Sequence, residues 1–239
     1  MNTYWRKTVF SALLTCGLTV SGYAGTEDDE FKERREHMVK NTIELRGVND
    51  PATLKAMRSV ERHEFVDDHL REVAYADRPL PIGHGQTISQ PYIVAAMTEM
   101  LQVEEGDVVL EIGAGSGYQA AVLAEFVEHV YTIEIVPALA ELSTERLARL
   151  GYDNVTVKEG DGYFGWEEHA PFDGIIVTAA ATHIPPPLVE QLKPGGKMII
   201  PVGPPMQVQQ LMVVEKQEDE TITQRSVMPV RFVPLTGER

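Results

Sequence analysis

The chain has 239 residues, 43% of them hydrophobic and 24% charged, which is the make-up of a folded globular protein of one or two domains and excludes wholesale disorder. Its 21 basic and 36 acidic residues leave a net charge of −15, a surface that repels phosphate backbones and argues against a nucleic-acid partner. Cys16 is the single cysteine, so an intrachain disulfide framework, a thiolate zinc site and an iron–sulfur cluster are excluded, and no ligand cluster for a metal is evident.

Residues 1–24 have the parts of a secretory signal: Arg6 and Lys7, an uncharged apolar run over 9–20, then Gly22-Tyr23-Ala24. The run is shorter than the roughly 20 residues a permanent span needs, so no stable membrane association is expected after its removal. Cleavage after Ala24 leaves 19 basic residues against 36 acids, a net −17. An exported or periplasmic location is the expectation; the alternative is a cytoplasmic chain with a misassigned start.

Residues 25–239 read as one domain, helical and loop-bearing over 25–90 and alternating strands and helices over 91–239. Residues 31–45 have a helical but heavily charged pattern, expected at the surface. Asp50-Pro51 is a helix start, with Asp as cap and Pro at the first position. A punctuated loop covers 79–91, and Ile93, Val94, Met97, Met100 and Leu101 recur at helical spacing across 91–101. A buried strand follows at 107–112, a helix at 118–127, a strand at 129–134, a helix at 137–150 and strands at 155–157, 173–178 and 197–200. Residues 209–215 and 225–233 suggest a terminal antiparallel pair. The expected fold is α/β: a doubly wound, mostly parallel, Rossmann-like sheet with helices on both faces and an antiparallel C-terminal strand pair.

In such a sheet, ligands sit beyond the carboxyl ends of the strands. There the chain reads Glu111-Ile112-Gly113-Ala114-Gly115-Ser116-Gly117-Tyr118. The glycines permit close backbone approach. The third glycine comes one residue too early for a dinucleotide fingerprint, and no Lys-Ser/Thr pair follows for a triphosphate. Ser116 lacks the flanking glycines of a nucleophile elbow. Glu134 ends the next strand, where a carboxylate accepts both hydroxyls of a ribose. Asp161, in Glu159-Gly160-Asp161-Gly162, follows the third strand at a position suited to an adenine edge. Three acids at consecutive strand ends suit a ligand with a ribose, an adenine and a positive centre but no phosphate, which is S-adenosylmethionine.

Residues 111–118, Glu134 and Gly160-Asp161-Gly162 resemble the cofactor motifs of class I methyltransferases. Leu80-Pro81-Ile82-Gly83-His84-Gly85-Gln86-Thr87-Ile88-Ser89-Gln90-Pro91 closely resembles the loop that marks protein-L-isoaspartate O-methyltransferases. Ala170-Pro171-Phe172-Asp173, Thr178-Ala179-Ala180-Ala181 and Val230-Arg231-Phe232-Val233-Pro234-Leu235 extend the likeness from about Arg34 to the C-terminus. The N-terminal extension departs from the pattern. The resemblance implies methyl transfer to the free carboxylate of L-isoaspartyl residues in damaged proteins and peptides. The ester then closes to a succinimide, whose hydrolysis partly restores aspartate.

By the same resemblance Ser89 is the active-site serine, holding the acceptor carboxylate by a hydrogen bond. Gln86, Thr87, Ile88 and Ser89 line the cofactor with Glu111, Gly113, Gly115, Gly117, Glu134, Asp161, Gly162 and Thr236. Ser89 also reads as a plain cap for the helix entered at Pro91. Arg231 is a further candidate to face the acceptor, although an arginine on an edge strand is commonly just solvated. A monomer is expected. The remaining alternatives are a small-molecule O-methyltransferase and a non-catalytic module that binds the same cofactor. Amino-group nucleic-acid methyltransferases are disfavoured because Ile184-Pro185-Pro186-Pro187-Leu188 offers neither the acid or amide nor the aromatic of their signature.

Overall fold

The computed structural model describes residues 27–237; the expected signal segment lies outside these residues. Among the described residues there are six α-helices and nine strands, seven of the strands in one large sheet. Helix α1 (Glu27–Met38) continues through a wider turn (Val39–Ile43) and a tight one (Glu44–Arg46). Its sequence is too charged to suggest a core element, yet Phe31, Met38, Val39 and Ile43 are almost completely buried. Phe31, Arg35 and Met38 share a stripe at i, i+4 and i+7. The stripe tolerates Arg35 because its guanidinium donates to Tyr75 Oη at 3.2 Å and Glu61 Oε1 at 3.3 Å. Helix α2 (Pro51–Ser59) starts as its sequence requires, with Asp50 Oδ2 accepting from the Thr53 amide at 2.7 Å.

The punctuated loop contains a hairpin of two-residue strands, β1 (Leu80–Pro81) and β2 (Thr87–Ile88), turning through Gly83, His84 and Gly85, all at positive φ. Helix α3 (Pro91–Leu101) follows directly, so the hairpin hands Ser89 to a helix start. The main sheet comprises β3 (Val108–Ile112), β4 (His129–Glu134), β5 (Val155–Glu159), β6 (Phe172–Val177), β7 (Leu192–Val202), β8 (Gln209–Lys216) and β9 (Ile222–Val230). Its order is β5-β4-β3-β6-β7-β8-β9; the strands from β5 to β7 run parallel, and β8 and β9 are antiparallel. Helices α4 (Tyr118–Ala124), α5 (Pro137–Arg149) and the short α6 (Pro186–Glu190) complete the crossovers.

Chain progress reverses at β3, which has β4 on one side and β6 on the other, so a crevice opens at its carboxyl end. Both sheet faces are covered, which explains the apolar strand sequences. Leu110, Ile112, Ile175, Val177, Met198 and Ile200 pack into one core layer. Val109, Val130, Ile176 and Ile199 pack into another, against Met97, Leu101 and Leu123 of α3 and α4. Strand alternation puts Glu111 on this second face, with the side chain of a fully buried acid among apolar neighbours.

Candidate active site

The turn after β3 is held by its backbone. The Gly113 amide donates to the Ile133 carbonyl at 2.8 Å, and Gly113 has φ +98°. A Cβ there would stand 2.6 Å from Thr178 Oγ1, because the threonine hydroxyl donates to the Gly113 carbonyl at 2.7 Å. Gly115 (φ +53°) aims its amide at Glu134 Oε2, 2.8 Å away. Gly117 serves packing instead. At φ +87° it starts α4, and a Cβ would press on Leu147 at 3.2 Å. It borders none of the cavities described below, so its place is in the helix contact rather than at the ligand surface.

The three acids stand at neighbouring strand ends, in three different states. Glu134 is anchored by two amides, Gly115 N to Oε2 and Val136 N to Oε1 at 2.9 Å, which fixes the carboxylate at the crevice edge. Asp161 caps a short 3-10 turn by accepting from the Tyr163 amide at 2.9 Å; its Oδ2 is buried without a partner beneath Gly237. Glu111 is 0% exposed, accepts from the Thr132 hydroxyl at 2.5 Å through Oε2, and leaves Oε1 without a partner. Burial pushes its pKa up to about 8; the Thr132 hydrogen bond opposes this and the neighbouring Glu134 charge adds to it.

The loop around Ser89 is fastened by one carboxylate that the sequence alone did not single out. Asp77 Oδ2 accepts from Gln90 Nε2 at 2.7 Å and from Arg46 at 2.8 Å, while Oδ1 accepts from the Tyr92 amide at 3.0 Å. Residues on both sides of Pro91 are thereby tied to one point. On the opposite wall, Ala180 N donates to Val233 O and Leu235 N to Ala180 O, each at 2.8 Å. This pairing lays the C-terminal segment along the strand ends and brings Thr236 to the crevice.

Three cavities meet here. One of about 60 Å³ is bordered by Gln86, Gly113, Gly115, Glu134, Gly162 and Thr236. A second, of about 30 Å³, lies against Ile88, Ser89, Glu111, Gly115 and Gln119. The third, about 400 Å³, also borders Ser89, together with Arg46, Ile93, Met228 and Arg231. Thr87 and Thr178 border all three. A larger open depression of about 1090 Å³, among Asp50, Glu99, Glu104 and Arg225, shares no residue with the turn. Of the residues expected at the site, Gly117 stands apart, and Asp161 reaches it only through the adjoining Gly162. Thr178 was visible in sequence merely as part of a motif; ending the fourth parallel strand was the signal that could have placed it.

Residues 33–239 match the family described as protein-L-isoaspartate(D-aspartate) O-methyltransferase. The chain belongs to this family. The chain is 58% identical over 237 residues to protein-L-isoaspartate O-methyltransferase 2 of Syntrophobacter fumaroxidans, with 95% of this chain and 96% of that one covered. Protein-L-isoaspartate O-methyltransferase 1 of Nitrosospira multiformis is 54% identical over 232 residues, covering 96% and 97%. A solved protein-L-isoaspartate O-methyltransferase superposes with a TM-score of 0.78 at 30% identity, over 85% of this chain and 66% of that one. Another, described as a putative enzyme of this kind from Plasmodium falciparum in complex with S-adenosyl-L-homocysteine, gives 0.71 at 27% identity, over 86% and 98%.

The protein-L-isoaspartate O-methyltransferase family implies S-adenosylmethionine, and the crevice fits it. Two glycines, Gly113 and Gly115, that leave the crevice floor open, a carboxylate at its edge and the unpartnered buried Glu111 Oε1 beside it are what a phosphate-free cationic nucleoside requires. Among the described residues, no group of three His, Cys, Asp or Glu side chains is arranged to hold a metal ion.

Proposed function

We propose that this chain moves a methyl group from S-adenosylmethionine to the free carboxylate of L-isoaspartyl residues in damaged proteins and peptides. The single observation that carries the reading is the place of Ser89: it borders both the cavity lined by Glu111 and the glycine turn and the 400 Å³ cavity next to it.

When bound, the cofactor supplies a methyl carbon already made electrophilic by its sulfonium. Glu134 would hold the ribose hydroxyls with the lone pairs its backbone donors leave free. Gly162 and Asp161 would border the base, and Glu111 Oε1 would meet the positive end. Gln86, Thr87, Ile88 and Thr236 would close the cofactor crevice. Ser89 donates its hydroxyl hydrogen to the acceptor carboxylate and fixes it towards the turn. It need not act as a nucleophile, because a carboxylate with pKa near 4 is ionised at neutral pH and attacks without a base. Alignment and exclusion of water are the chain's contribution, and alignment alone supplies much of the barrier reduction. Asp77 keeps the Ser89 loop and the start of α3 in one arrangement, so the hydroxyl is positioned before substrate arrives.

Release of methyl groups from an isoaspartyl peptide, compared with the matching aspartyl peptide, tests the reading. Labelling confined to the isoaspartyl peptide is the expected result. Equal labelling of both, or of neither, overturns it. We further propose that residues 1–24 direct export and that the mature chain acts as a monomer without nucleic acid, readings supported by the segment's composition and the chain's negative charge. N-terminal sequencing of the native protein beginning at Gly25 is expected; an intact N-terminus would refute export.

A further inference from the structure

We propose that Arg231 makes the enzyme select isoaspartyl segments carrying an acidic side chain next to the damaged residue. The inference rests on the assignment of the 400 Å³ cavity to the acceptor. Among the described residues, that cavity has two cations in its wall, Arg46 and Arg231, and no Asp or Glu, in a chain of 36 acids. The overall field of a protein with a net charge of −15 repels acidic peptides, so a cationic acceptor wall runs against the background.

The two arginines are not equivalent. Arg46 is already engaged: it donates to Asp77 Oδ2 at 2.8 Å, and its guanidinium carbon lies 3.3 Å from the centre of the Tyr92 ring. Arg231 is exposed, and no ion pair engages it among the described residues. Its backbone is nevertheless fixed on both sides, before it by Val230 paired with Gln209 in the β8–β9 ladder and after it by two hydrogen bonds. The Phe232 amide donates to Gln209 Oε1 at 3.0 Å, and Val233 O accepts from Ala180 N at 2.8 Å. Arg231 therefore sits on an anchored segment, in a cavity wall it shares with the apolar Met228 and Ile93.

Ser89 lies in the same wall and already accounts for the carboxylate that receives the methyl group. An unpaired guanidinium elsewhere in that wall suits a second carboxylate, because its planar fork matches the two oxygens of an Asp or Glu side chain. An acidic residue flanking the isoaspartyl position supplies that carboxylate.

The test compares kcat/KM for isoaspartyl peptides carrying Glu, Gln or Lys at each of the two positions on either side of the damaged residue. The parent enzyme is expected to favour Glu over Gln by about 3- to 10-fold at one or more positions, with the advantage shrinking in salt. Arg231→Gln should abolish the preference, its loss on the Glu peptide exceeding its loss on the Gln peptide by the same factor of about 3 to 10, and Arg231→Glu should shift the preference to Lys. Equal turnover of Glu and Gln peptides by the parent, or a preference that survives in Arg231→Gln, overturns the inference. An equal loss on every peptide would mean that Arg231 binds the acceptor carboxylate itself, which also overturns it. Methylation of no isoaspartyl peptide at all would instead refute the assignment of the cavity, and with it this inference.

Discussion

Replacing Glu111 by glutamine separates what this acid costs the fold from what it does for the cofactor. The side chain is fully buried, one oxygen is satisfied by Thr132, and the other has no partner. In the unfolded chain it loses its proton near the ordinary 4.5; in the folded one it keeps it up to about 8. Between those values the folded state binds more protons than the unfolded state, so stability falls as pH rises, and above about 8 the whole cost is present. One pKa unit is worth about 1.36 kcal/mol, so the ceiling on that cost, between 4.5 and about 8, is on the order of 4–5 kcal/mol. Glutamine keeps the shape and an acceptor for Thr132 but does not titrate. Glu111→Gln should therefore match the parent near pH 4.5 and gain stability as pH rises towards about 9. Allowing for local relaxation, a gain of about 2 kcal/mol corresponds to roughly 4–8 °C in Tm for a chain of this size. Unfolding followed by circular dichroism across that pH range reads this out, and calorimetric titration should show weaker cofactor binding in the same variant. A stability difference that does not change with pH, or undiminished cofactor affinity at pH 9, would refute the reasoning.

Other substitutions probe the remaining walls of the crevice. Glu134→Ala strips two backbone amides of their acceptor and removes the proposed ribose contact; a loss of roughly 1–3 kcal/mol in cofactor binding is expected by calorimetry, and unchanged affinity would reject the contact. Ser89→Ala should lower kcat by about tenfold or more while the cofactor Kd stays within about twofold, since a hydrogen bond to a charged group is worth about 1.5–3 kcal/mol; unaltered turnover in the peptide assay would sink its role. Asp77→Ala releases Gln90, Arg46 and the Tyr92 amide together, so kcat should fall more than KM rises, with partial recovery in Asp77→Asn. A purely structural Asp77 would instead lower Tm and leave the kinetics of the folded fraction intact.

Local chemistry made most of the frame legible. The helix starts at Pro51, Pro91 and Pro137 follow from the fixed φ of proline, and the start of α4 follows from a glycine able to take positive φ. The site at the ends of β3, β4 and β5 could be read because each carries an acid there, beside the glycine turn that follows β3. Two features were less legible. The charged segment at α1 keeps most of its residues at the surface, as its composition suggests, yet buries one stripe, Phe31, Arg35 and Met38, against a partner surface that the sequence does not reveal. Gly117 belongs to a glycine-rich turn by sequence but to the α4–α5 contact by structure.

By itself, the order of residues determined the alternating α/β frame, the glycine turn, the acids at three strand ends and the loop carrying Ser89, because each depends on neighbours within a few positions. Only the tertiary structure decided that Asp77 ties that loop to α3, that Thr178 borders all three cavities, that Glu111 is buried with one bare oxygen and that Arg231 is unpaired while Arg46 is not. Burial and pairing join residues tens of positions apart, and they set the proton affinity and the free charge on which the chemistry of this crevice depends.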